Sequence, residues 1–76
     1  MAFADTLRRL RLGRFWSQAE LPRRSGVSPF TINRLEGGAE SPRLRTVRRL
    51  AQALGVDPAE LAAPEELAEF QRKAAA

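Results

Sequence analysis

From Ser17 to Gly37 the chain reads SQAELPRRSGVSPFTINRLEG, a stretch with two helix starts and two glycine stops. Ser17 and Glu20 have the S-x-x-E spacing of a capping box, in which the hydroxyl and the carboxylate each satisfy a free amide of the first turn. Trp16 before the cap and Leu21 after it suit a hydrophobic staple. Gly26 is free to adopt the left-handed conformation that ends a helix of about two turns, and Val27 follows as an apolar plug. Ser28 then caps a second helix, with Pro29 at the first helical position, where its missing N–H costs nothing. Ile32 and Leu35 give that helix an inward face before Gly37. This spacing describes two short helices joined by a tight turn, a helix-turn-helix.

The rest of the chain reads as further helices, with no strand signal. A first helix is expected from about Thr6 to Arg14, with Leu7, Leu10 and Phe3 on one face. The motif supplies helices over about Gln18 to Ser25 and Pro29 to Glu36. A fourth, about Arg43 to Leu54, places Leu44, Val47, Leu50, Ala51 and Leu54 at spacings of three and four. Gly55 stops it. Asp57, Pro58 and Glu60 repeat the cap, proline and box logic for a short fifth helix, with Val56 and Leu61 as its staple. Pro64 to Ala76 reads as a sixth, with acids at its start and Arg72 and Lys73 at its end. Its Leu67 and Phe70 share a face, which suits either docking on the domain's own core or a dimer seam.

Ser17, Gln18, Glu20, Leu21, Gly26, Val27, Ser28, Ile32, Leu35, Glu36 and Gly37 resemble the pattern of the Cro/CI (Xre-like) helix-turn-helix family of bacterial and phage repressors. The downstream stretch SPRLRTVRRLAQALGVDPAELA is similar to that family's fourth and fifth helices. The resemblance covers roughly residues 5 to 63. It implies an all-α, compact five-helix lambda-repressor-like domain over residues 1–63; the helical tail over 64–76 departs from the minimal family domain. It also implies an ion pair between Arg11 of the first helix and Glu36 of the third. Glu36, at the unfavourable end of a helix dipole, asks for such a cation.

Two positions depart from the family pattern. Pro22 stands where relatives usually have alanine, and a proline inside a helix removes the bond back to Gln18, so a bent or 3₁₀-like start is expected there. Phe15 stands where relatives often have glycine to reverse the chain; Gly13 is the residue available for that role.

Charge is distributed unevenly. Residues 1 to 50 hold eleven arginines against Asp5, Glu20, Glu36 and Glu40, a net of +7, whereas residues 51 to 76 hold two cations against five acids, a net of −3. The basic half contains the motif, the footprint of a module that lays one face on a polyanion. A solvated arginine-rich surface is the alternative reading.

With no cysteine and no histidine, the chain lacks disulfides, Cys/His metal ligands and the commonest general base. Ser17 and Ser28 are explained as caps, so neither an enzyme nor a metal or other cofactor is expected. No apolar run reaches the roughly 18 residues of a membrane span, and the N-terminus has no secretory apolar region. A cytoplasmic, nucleoid-associated protein is expected.

In a helix-turn-helix the second helix enters the major groove. Residues about 200° from Ile32, such as Phe30, face outward, so Ser28, Pro29, Phe30, Asn33 and Arg34 are the candidate base contacts. Arg34 is suited to guanine and Phe30 to a thymine methyl group. Ser17, Gln18, Arg43, Arg45 and Arg14 are candidate phosphate contacts. The functional expectation is a sequence-specific regulator of transcription, a repressor acting as a homodimer on a palindromic operator in double-stranded DNA. Its half-site centres would lie about 34 Å apart. The alternative is an antitoxin or other interaction module whose acidic tail, Glu60 to Glu69, binds a protein partner.

Overall fold

A computed structural model describes residues 2–62 as five helices. The sixth helix expected over the tail, with Leu67 and Phe70, lies outside the described residues.

Helix α1 spans Ala2–Gly13 and starts four residues earlier than its expected boundary. Phe3 explains the extension: it lies one turn before Leu7, and both are buried. Burying a phenyl ring contributes about 1.5–3 kcal/mol, enough to draw the first turn into helix. Asp5 in that turn suits the positive end of the dipole.

The end of α1 differs from expectation. Gly13 is its last helical residue, and the chain reverses at Phe15, which takes φ 60°. The Trp16 N–H donates to the Arg11 carbonyl at 3.3 Å and the Phe15 N–H to the Leu12 carbonyl at 2.9 Å. These two bonds make a Schellman closure, with Phe15 in the left-handed position. Helices α3 (Pro29–Glu36) and α4 (Leu44–Leu54) close in the same way, with Gly38 at φ 75° and Gly55 at φ 73°. The stop after α3 is therefore Gly38; Gly37 stays right-handed at φ −85°.

Helix α2, Glu20–Ser25, begins two residues after the expected start. Its carbonyl, not its hydroxyl, is what Ser17 contributes: the Glu20 N–H donates to it at 3.0 Å in a 3₁₀-type turn. No side chain caps the helix, so the expected Ser17 and Glu20 capping box does not form. Pro22 is the reason. A helix starting at Gln18 would press the proline ring against the Gln18 carbonyl, whereas one starting at Glu20 puts Pro22 in the first turn, where no intrahelical donor is needed. Glu20 pairs instead with Arg24 at 3.0 Å.

Helix α3 follows its sequence signals. The Ser28 hydroxyl accepts the Thr31 N–H at 3.1 Å and Pro29 occupies the first position. The last helix, α5 (Pro58–Leu61), has the expected box: the Ala59 N–H donates to Asp57 and the Asp57 N–H donates to Glu60.

One core joins all five. Leu7, Leu21, Ile32, Leu35, Val47 and Leu50 are its most deeply buried members, and Trp16 and Val56 pack against it. Helix α4 lies against α5 and α2, and α1 lies against α3. The two helices of the motif are thus each braced by another helix, α2 by α4 and α3 by α1, and the outer face of α3 is left to solvent.

Candidate nucleic-acid interface

Burial of Ile32 and Leu35 fixes the roll of α3. Ser28, Pro29, Phe30 and Asn33 are exposed as a result, and Thr31 and Arg34 are half-buried. Phe30 is 71% exposed, and the Arg34 guanidinium lies over its ring at 5.4 Å. Arg34 also donates from Nε to Glu40 at 2.9 Å and from Nη2 to the Ala39 carbonyl at 3.4 Å. The α3–α4 loop thereby folds back on the exposed face of the helix.

On its other flank this face is anchored to α1. Arg11 meets Glu36 through two hydrogen bonds, Nε to Oε2 at 2.6 Å and Nη2 to Oε1 at 2.9 Å, and its Nη1 donates to the Trp16 carbonyl at 2.8 Å. Gln18 donates to the same carboxylate at 3.2 Å and accepts from Asn33 at 3.4 Å. A continuous polar chain therefore runs from α1 through Glu36 and Gln18 to Asn33 on the outer face of α3.

Arg43 and Arg45 are exposed at the start of α4. With Arg49, Thr46, Thr31, Ser28, Val27 and Gly26 they line a cleft of about 510 Å³ that contains three arginines and no acid. The positive end of the α3 dipole adds to this potential, and no side chain caps α4. Such a cleft is chemically suited to an oxyanion such as a backbone phosphate. Sequence reasoning did not single out Arg49 or Thr46. Arg45 and Arg49 are four residues apart on the side of α4 opposite its buried stripe of Val47, Leu50, Ala51 and Leu54, so helical periodicity contains the signal for Arg49.

Arg14 lies elsewhere. It donates from Nη1 to the Leu10 carbonyl at 2.9 Å and from Nη2 to the Leu54 carbonyl. Leu54 is the last residue of α4, so Arg14 stands at the far end of that helix from Arg43, roughly 16 Å away by helical rise. Its guanidinium ties the end of α1 to the end of α4. Ser17 is exposed beside the α2 turn.

Two helices crossing at a tight turn, the second with an outward polar and aromatic face and a basic cleft at its start, define a helix-turn-helix domain. The chain belongs to the helix-turn-helix domain family, which matches residues 2–63. It is 40% identical over 62 residues to an uncharacterized HTH-type transcriptional regulator of Sinorhizobium fredii, covering 82% of this chain and 80% of that protein. It is 39% identical over 64 residues to the cryptic phage CTXphi transcriptional repressor RstR of Vibrio cholerae, covering 84% of this chain and 58% of the repressor. An uncharacterized HTH-type transcriptional regulator of Mycobacterium tuberculosis is 40% identical over 52 residues, 68% of this chain. The chain spans 20% of the length of that mycobacterial relative. No solved structure matches the chain. Among the described residues no group of acids or other ligands is arranged to hold a metal ion, and no helix is long and apolar enough to cross a membrane.

Proposed function

We propose that the chain is a sequence-specific DNA-binding domain of the Cro/CI (Xre-like) type that regulates transcription as a repressor. Residues 1–63 form the binding unit and residues 64–76 support a homodimer on a palindromic operator, within the cytoplasm. The observation that carries this reading is the join between the outward face of α3 and the acid-free arginine cleft beside it. In this reading Ser28, Pro29, Phe30, Asn33 and Arg34 face base edges in the major groove. Gln18, Ser17, Arg43 and Arg45 hold phosphates on either side. The likeness to a named phage repressor supports repression over activation.

Selection from randomised duplex DNA tests the proposal. A convergent palindrome, bound with an affinity that falls with salt at a slope of about −5 for six phosphate contacts, is the expected result. Weak binding without sequence preference contradicts it and transfers the function to a protein partner of the acidic tail.

A further inference from the structure

Arg34 carries five N–H donors, and its partners determine which of them remain available. Its Nε is committed to Glu40 at 2.9 Å and one Nη2 proton to the Ala39 carbonyl at 3.4 Å. Among the described residues nothing engages Nη1. Both N–H groups of Nη1 and one of Nη2 therefore remain for other partners. The guanidinium lies over the exposed Phe30 ring, 5.4 Å from its centre, within cation–π range.

We infer that Glu40 is a specificity-determining positioning residue for Arg34. This rests on the DNA-binding reading above. Guanine presents O6 and N7 as two acceptors side by side, and only a paired set of parallel donors recognises both. A side-on approach through Nε and Nη2 would break the bond to Glu40, so the carboxylate restricts Arg34 to its Nη donors. It also offsets the cation's charge. An arginine already paired with a carboxylate has less to gain from a phosphate, which any sequence offers, and keeps its advantage at a base edge that only some sequences offer. Glu40 touches no base; it acts through the geometry of the arginine.

The test compares wild type with Glu40→Ala, Glu40→Gln and Arg34→Ala by selection on randomised duplexes and by titration of unrelated DNA over a range of salt. Arg34→Ala is expected to erase the preference at one base pair of each half-site. Glu40→Ala is expected to reduce the preference at that same pair by about two- to fivefold. It should also bind unrelated DNA more tightly, with a salt slope steeper by about one. Glu40→Gln keeps an oxygen to accept the Nε proton and is expected to retain the preference. If Glu40→Ala keeps full preference at the Arg34 position, or if alanine and glutamine lose that preference alike, the inference is overturned while the DNA-binding reading stands. A wild type that selects no sequence overturns both. Glu40 lies in an exposed loop, so unchanged melting curves are expected for both variants.

Discussion

Arg11 and Glu36 face each other in a two-pronged ion pair with side chains only 9% and 5% exposed. The carboxylate stands in the last turn of α3, where the dipole disfavours it, and has been withdrawn from most of its water. Removing the cation leaves that charge buried without its main partner. Arg11→Ala is expected to cost about 3–5 kcal/mol. That is comparable to the whole stability a core of this size supplies. Urea titration followed by circular dichroism should show a chain largely unfolded without denaturant. Arg11→Lys loses the paired geometry but keeps the charge, and its Tm should fall by roughly 4–8 °C per kcal/mol lost. An unchanged Tm for Arg11→Ala contradicts the structural role of the pair.

Phe15 occupies a position that α3 and α4 give to glycine, yet it is 94% exposed, so its ring gains little from packing. Left-handed backbone costs a residue with a Cβ about 1–2 kcal/mol, part of which glycine gives back through unfolded-state entropy. Phe15→Gly should therefore stabilise the fold by about 0.5–1 kcal/mol. Gly38→Ala and Gly55→Ala should destabilise it by about 1 kcal/mol each at the equivalent positions. Thermal melts of the three variants check both signs together.

Ser28 and Ser17 look alike in sequence and differ in the fold. Only the Ser28 hydroxyl accepts a helix N–H, at 3.1 Å. Ser28→Ala should cost about 1 kcal/mol and Ser17→Ala almost nothing, as read by urea midpoints. Equal losses from both would restore the capping box at α2.

Arg14 fastens the end of α1 to the end of α4, whereas Arg45 is an exposed cation that the proposed function assigns to a phosphate. Arg14→Ala frees two carbonyls that a guanidinium had satisfied and should cost about 1.5–3 kcal/mol of stability. Arg45→Ala should leave Tm unchanged, weaken binding to every DNA sequence alike and reduce the salt slope by about one. Melting and salt titration on both variants separate these outcomes.

The parts of the fold that were legible in sequence are those governed by local chemistry. Ser28 with Pro29 starts α3, Asp57 with Glu60 starts α5, and the three-and-four spacing of Val47, Leu50 and Leu54 sets the buried side of α4. The differences arose where a demand of the core or of the backbone overrode a local pattern. Phe3 lengthened α1 because the core accepts its ring, and Phe15 reversed the chain although Gly13 was two residues away. Pro22 gives α2 the expected 3₁₀-like start, and the same steric demand removes the expected capping box and moves the first helical residue from Gln18 to Glu20. At the candidate site, the outward set of α3 followed from periodicity alone. The bonds from Glu40 to Arg34 and from Gln18 to Asn33 and Glu36 bridge residues 6, 15 and 18 positions apart, which no local pattern records.

The central claim is that the chain meets DNA through the outer face of α3 and the arginine cleft beside it. Titration of the ¹⁵N-labelled chain with duplex DNA at low salt, followed residue by residue, tests it most directly. Amide shifts are predicted to concentrate at Gln18, Ser28, Phe30 to Arg34 and Arg43 to Arg49, with α5 and the exposed Leu12 and Phe15 unmoved. Shifts centred on Leu12 and Phe15, or none at all, would contradict it.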